Sequence, residues 1–180
     1  MADLSRDPIV NVVHGGIKRD IRLLLDQDAL RGALLLTLAG IDTMGYLAME
    51  DRQENPTRRS FVAWADRYVR FACAETITAM ELYAARCAAL HNYGTESSLS
   101  RTGKCRQILW MSEAQPEIRY NAMKQPGFVV VSIPALAQAF FDGIDRFLVD
   151  TYSDPKRKER AEARFKKIMH SLPGPGAGAA

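Results

Sequence analysis

Two residues with the chemistry of phosphodiester handling lie close together in the stretch Glu81-Leu82-Tyr83-Ala84-Ala85-Arg86-Cys87-Ala88-Ala89-Leu90-His91-Asn92-Tyr93-Gly94. They are Arg86 and His91. An arginine carries a permanent charge on a flat, forked donor face that matches phosphate. Histidine is the side chain that titrates near neutral pH without help. Cleaving RNA without a metal needs one group to deprotonate the 2′-hydroxyl and another to protonate the leaving oxygen. It also needs a cation for the charge that builds on phosphorus. His91 suits the acid or base role, and a place near a helix C-terminus favours its protonated form. Arg86 suits bidentate phosphate binding. A plainer reading stands beside this one. Arg86 could pair with Asp42 or Glu81, and His91 could bond the last carbonyls of its helix.

The element that must position the pair is an apolar, Ala-rich helix over Glu75 to Asn92. Good helix formers fill it, and Gly94 suits the left-handed turn that closes a helix. Five positions along a helix mean about 140° of rotation and about 7.5 Å of rise. Arg86 therefore aligns with Leu82 and Tyr83, and His91 with Cys87 and Ala84. Either the helix ends or bends before His91, or a second chain completes the site. A twofold homodimer would bring a pair of each residue into one cleft.

This context resembles the HEPN superfamily, helical bundles defined by an R-x(4–6)-H signature on a late helix. Leu82 to Gly94 is similar to its LY-x-x-R-x-x-x-x-H-x-x-G form. The resemblance covers roughly Gly16 to Gly94. It implies a metal-independent endoribonuclease that leaves 2′,3′-cyclic phosphate ends and uses no cofactor. Such proteins are often toxins or antiviral effectors, and they work as dimers with facing motifs. An antitoxin or regulatory partner belongs to that setting. Some members only bind. On this reading Arg86 and His91 are catalytic, with Asp42, Tyr83, Asn92 and Tyr93 in support. One departure is Cys87, where the family often has a polar residue after the arginine. A second spacing match, Arg164 to His170, lacks the apolar helix and the glycine exit. The alternative from another class is a non-catalytic RNA- or partner-binding helical module on the same fold. A purely structural helical protein is the third.

The other elements follow from periodicity and breakers. Met1 to Gly15 reads as an irregular or loosely helical N-terminal segment, with His14-Gly15-Gly16 as a break. Ile17, Ile21, Leu24 and Leu25 mark a helix to Asp26, with Lys18, Arg19, Asp20 and Arg22 outside. Ala29 to Glu50 is the most apolar helix and the expected centre of the bundle. Asp42 lies within it, and a buried carboxylate needs a partner. That partner makes it either a core ion pair or the group that orients Arg86. Asn55-Pro56-Thr57 starts the next helix. There Phe61, Trp64, Ala65, Tyr68 and Phe71 form one face, more suited to a core than to base stacking.

Beyond Gly94, Thr95 to Lys104 reads as an exposed polar loop. Arg101, Lys104 and Arg106 are candidates for RNA backbone contact. Cys105 to Met111, Glu117 to Ala122 and Phe128 to Ile133 have strand character, separated by Pro116 and by Pro126-Gly127. They suggest an antiparallel hairpin or meander, a β insertion over about 105–133. Pro134 to Tyr152 follows as a helix with Leu136, Phe140, Ile144, Phe147 and Leu148 inside. A basic helix then runs from Asp154 to about Ser171, either a solvated face or a nucleic-acid contact. The expected architecture is mainly α: a HEPN-like bundle over 16–172 with a small antiparallel β insertion and C-terminal helices. A Gly/Ala/Pro-rich tail over 173–180 is expected to be disordered.

The net charge of +3 points only weakly to an anionic partner. Three cysteines, Cys73, Cys87 and Cys105, form no CxxC pair, which suits a reducing cytoplasm and no metal site. The first residues lack a secretory pattern. Gly32 to Met49 is apolar, but Asp42 at its centre would cost about 3 kcal/mol in a bilayer. A buried core helix is expected there, not a membrane span.

Overall fold

The computed structural model describes residues 7–50 and 55–168. The expected tail over 173–180 and His170 of the second spacing match lie outside the described residues.

Of the two readings of the N-terminal segment, the helical one holds from Pro8 onward. Asp7 caps α1 (Pro8–Val12), its Oδ1 accepting from the backbone N–H of Ile9 at 2.9 Å and of Val10 at 3.2 Å. Pro8 at the first position costs no hydrogen bond there. The expected break at Gly15-Gly16 is instead a π-helical segment (Val13–Lys18) that runs without interruption into α2 (Arg19–Asp26). Ile9 and Val13 anchor it in the core. Lys18, expected outside, is only 2% exposed. Its Nζ donates to Asp145 Oδ1 at 2.7 Å and to the Phe141 carbonyl at 3.3 Å. A buried ammonium is tolerable only with such partners.

The centre of the bundle is α3 (Leu30–Leu47), with Leu38, Ile41 and Met44 wholly inside. It packs against α2, α4 (Arg58–Tyr68), α5 (Ala79–Asn92), α7 (Ile133–Tyr152) and α8 (Pro155–Phe165). Thr57 starts α4 through a capping box, donating its N–H to Ser60 Oγ at 2.9 Å. The aromatic face of α4 is core through Tyr68, as its spacing predicts, but the helix ends there and Phe71, expected on the same face, lies beyond it and is half-buried. Trp64 lies 5.3–6.2 Å from the rings of Tyr68, Phe140 and Phe147. Two glycines set the helix spacing. A Cβ on Gly45 would stand 2.9 Å from the Ser60 carbonyl oxygen, and one on Gly143 would stand 2.9 Å from that of Tyr68. The backbones of α3, α4 and α7 approach this closely only because no side chain intervenes.

The polar stretch after α5 is not all loop. Ser97 caps a short helix, α6 (Ser98–Arg101), through another capping box. Three strands follow: β1 (Gln107–Met111), β2 (Ile118–Arg119) and β3 (Phe128–Ser132). Their order is β1-β3-β2, with β1 parallel to β3 and β2 antiparallel to it. This corrects the expected antiparallel hairpin or meander. Local alternation marks strands but not neighbours. The central place of β3 follows from its continuous apolar run, in which Val129 and Val131 are fully buried. β3 runs directly into α7, where Ser132 Oγ accepts from the Ala135 N–H at 3.1 Å. Among the described residues, no helix is long and apolar enough to cross a membrane.

Candidate functional site

Helix α5 is built differently at its two ends. Its first turn is a capping box. Thr78 donates its N–H to Glu81 Oε2 at 2.7 Å, and Thr78 Oγ1 accepts from the Glu81 N–H at 3.1 Å. Glu81 is buried, and Arg106 grips it through Nε at 2.6 Å and Nη2 at 3.0 Å. Arg106 also donates to the Thr76 carbonyl and lies 4.5 Å from the centre of the Tyr120 ring. Burial alone would raise the Glu81 carboxyl, but the Arg106 and Thr78 hydrogen bonds outweigh it and hold the group below its ordinary range. Arg106, a candidate RNA contact from sequence, is therefore engaged in joining α5 to the entry of β1.

One turn later the helix meets α3. Arg86 Nε donates to Asp42 Oδ2 at 2.6 Å, and the two side chains are 24% and 26% exposed. Of the two acids weighed for Arg86, Asp42 pairs with it, while Glu81, about 140° away around the same helix, is held by Arg106. Burial works against the charge on Arg86. The Asp42 hydrogen bond and charge, aided by the Cys87 sulfur, prevail and keep the guanidinium protonated above its ordinary value. Tyr83, Arg86 and Cys87 share one patch of α5 at helical spacing. The Tyr83 phenol is pushed up, first by burial and then by the Cys87 thiol, against the opposing fields of Arg86 and Arg58. Its ring meets Phe61 edge-on at 5.5 Å. The structure thus brings Asp42, Tyr83 and Arg86 together and adds Cys87 and Arg58. Cys87 was singled out from sequence only as a departure. Arg58 carried no sequence signal, since its approach depends on how α4 crosses α5.

His91 stands apart from this cluster. The helix continues through Asn92, so it neither ends nor bends before His91. The two motif residues are left about 140° apart around one axis. His91 is exposed, and no hydrogen bond or ion pair engages its ring among the described residues. Asn92 and Tyr93 are exposed beside it. The left-handed residue that closes α5 is Tyr93, with φ of 52°, and not Gly94 as expected. The Gly94 N–H instead returns to the Ala88 carbonyl at 3.1 Å. A bulky residue in this region costs about 1–2 kcal/mol, and such strain collects at functional sites.

A groove of about 730 Å³ reaches this helix end, bounded by Leu34, Leu35, Ala89, Tyr93 and Trp110. Neither Arg86 nor His91 lines it. Arg101 pairs with Glu96 at 3.3 Å on the surface, and Lys104 is exposed nearby. The three cysteines are free, and among the described residues no group of three or more His, Cys, Asp or Glu side chains could hold a metal. No family model, curated protein or solved structure matches the chain.

Proposed function

We infer that the chain is a metal-independent endoribonuclease of HEPN type, acting as a homodimer. The observation that carries this reading is Arg86, held by Asp42 of α3, on the same helix as an exposed, uncommitted His91. Asp42 fixes the guanidinium through Nε, and about a quarter of the Arg86 side chain stays open to solvent. Its fork can then take a phosphate. With α5 unbroken to Asn92, one chain cannot direct both groups at one phosphate. Two chains related by a twofold axis supply two His91 side chains to a shared cleft. One takes the proton of the 2′-hydroxyl as its oxygen attacks phosphorus. The other gives a proton to the departing 5′-oxygen. Arg86 holds the charge on the phosphorane. The products are a 2′,3′-cyclic phosphate and a 5′-hydroxyl, with no net proton change. The resemblance sets this activity in toxin–antitoxin pairs or antiviral defence, with a partner that restrains it.

The test is RNA cleavage with EDTA present, comparing wild type, Arg86→Ala and His91→Ala. Cyclic phosphate ends from wild type alone, with both variants folded, support the reading. Wild-type protein that binds RNA but never cuts it would instead make the chain a binding module. Undiminished cutting by His91→Ala would remove His91 from the reaction.

A further inference from the structure

A second concave region, remote in sequence from the α5 motif, has a charge pattern that the nuclease reading does not use. It is a cleft of about 600 Å³ where the end of α3, α4, the last turns of α7 and α8 meet. Four of its lining side chains are arginines: Arg59 and Arg67 from α4, Arg157 and Arg160 from α8. On each helix the pair falls on one face. The spacing of eight positions on α4 is about two turns, and that of three on α8 is about one.

The four cations are not equally compensated. Asp150 Oδ2 accepts from Arg67 Nη2 at 2.6 Å and from the Tyr68 hydroxyl at 2.9 Å, and lies 3.7 Å from Arg157 Nη1. Asp154 adds a second contact to Arg157 at 3.4 Å. Among the described residues, no carboxylate pairs with Arg59 or Arg160. Glu50, which also lines the cleft, is its one acid there among the described residues, and engages neither. Among the described residues, the two helices thus face each other with like charge in surplus, an arrangement that an anion between them would relieve.

Two buried polar residues belong to the wall of the cleft. Trp64 is 2% exposed, and its indole N–H has no acceptor among the described residues. A buried donor without a partner costs about 1–3 kcal/mol. Thr151, equally buried, lines the same wall. The volume lies within the usual range for a small-molecule site. Convergent guanidinium forks are the arrangement that recognises phosphate.

We propose that this cleft binds a small phosphorylated ligand carrying two or more phosphate groups, a nucleoside diphosphate or triphosphate being the class that fits. Arg59 and Arg160 take the terminal phosphate. Arg67 and Arg157, held in place by Asp150, take the next, against the wall that Trp64 forms. The site does not depend on Arg86 or His91.

The experiment uses the full chain with Trp110→Phe, which leaves Trp64 as the single tryptophan emitter. Pyrophosphate, ADP and ATP are titrated at constant ionic strength, with sulfate and adenosine as controls. Saturable changes in Trp64 emission, with a rise in Tm, are expected for the three phosphates. Arg59→Gln with Arg160→Gln should weaken binding at least tenfold while the Tm of the free protein holds or rises. A response equal to that of sulfate, or none, overturns the proposal. So does a double variant that loses RNA affinity but keeps pyrophosphate affinity, since the cleft would then be an RNA surface. The Arg86→Ala variant should bind pyrophosphate as wild type does, which separates failure here from failure of the nuclease reading.

Discussion

The two ends of α5 use charge in opposite ways. At the first turn Thr78, Glu81 and Arg106 engage one another, and the carboxylate is almost sealed from water. At the last turn His91 and Asn92 are exposed and Tyr93 holds a strained left-handed conformation. Arg86 lies between them, paired with Asp42 but still partly open. Satisfied polar groups at one end tie the helix to the sheet. Unspent groups at the other are available to something outside the chain. A residue that is fully committed contributes to folding, and one that is not contributes to binding or chemistry.

That contrast can be broken by substitution. The largest effect is expected at the exposed end. His91→Ala should lower RNA turnover by roughly 10²–10⁴-fold while stability in denaturant changes by less than about 0.5 kcal/mol. Refolding equal amounts of wild type and His91→Ala together sharpens the dimer reading. A shared cleft leaves on the order of a quarter of full activity, because mixed dimers are inactive. An independent site in each chain leaves half.

The sealed end should behave in reverse. Arg106→Ala strands the Glu81 carboxylate and should cost about 2–3 kcal/mol in urea unfolding, with RNA affinity unchanged. A cost near zero would show that the network is not structural. Acid should act in the same place. The Glu81 carboxyl sits below its ordinary value of 4.5 in the folded chain. Its contribution is therefore fully present above that pH and lost as pH falls through the lower folded value. Stability measured from pH 6 to pH 3 should drop less steeply in Arg106→Ala than in wild type.

Between the two ends, Asp42→Asn keeps an acceptor for Arg86 but removes the charge. About 1 kcal/mol of stability is at stake in this partly exposed pair. Activity should fall about tenfold if Asp42 orients the guanidinium, and not at all if the pair is only a brace. The smallest effect belongs to Tyr93→Gly. Relief of the left-handed strain, less the added entropy of the unfolded chain, should raise stability by about 0.5–1 kcal/mol. A loss of stability would mean that the Tyr93 ring contributes packing of its own.

Much of this was legible beforehand where the signal is local. The aromatic face of α4 and the apolar stripe of α7 became core, because helical spacing alone puts those residues on one side. The need of Asp42 for a partner was legible from the cost of burying a carboxylate. The role of Arg106 was not, since its partner Glu81 lies 25 positions away. Lys18 misled for the same reason. A lysine reads as surface until Asp145, 127 positions on, draws it inward.

The amino-acid order by itself determined the main helices, the helix start at Thr57 and the presence of three strand-like runs. These depend on propensity, hydrophobic period and side chains a few positions apart. Only the tertiary structure decided that β1 lies parallel to β3, that Asp42 rather than Glu81 holds Arg86, and that four arginines converge on one cleft. Each of those turns on which distant residues are brought together. That is settled by the packing of whole helices and not by any window of the chain.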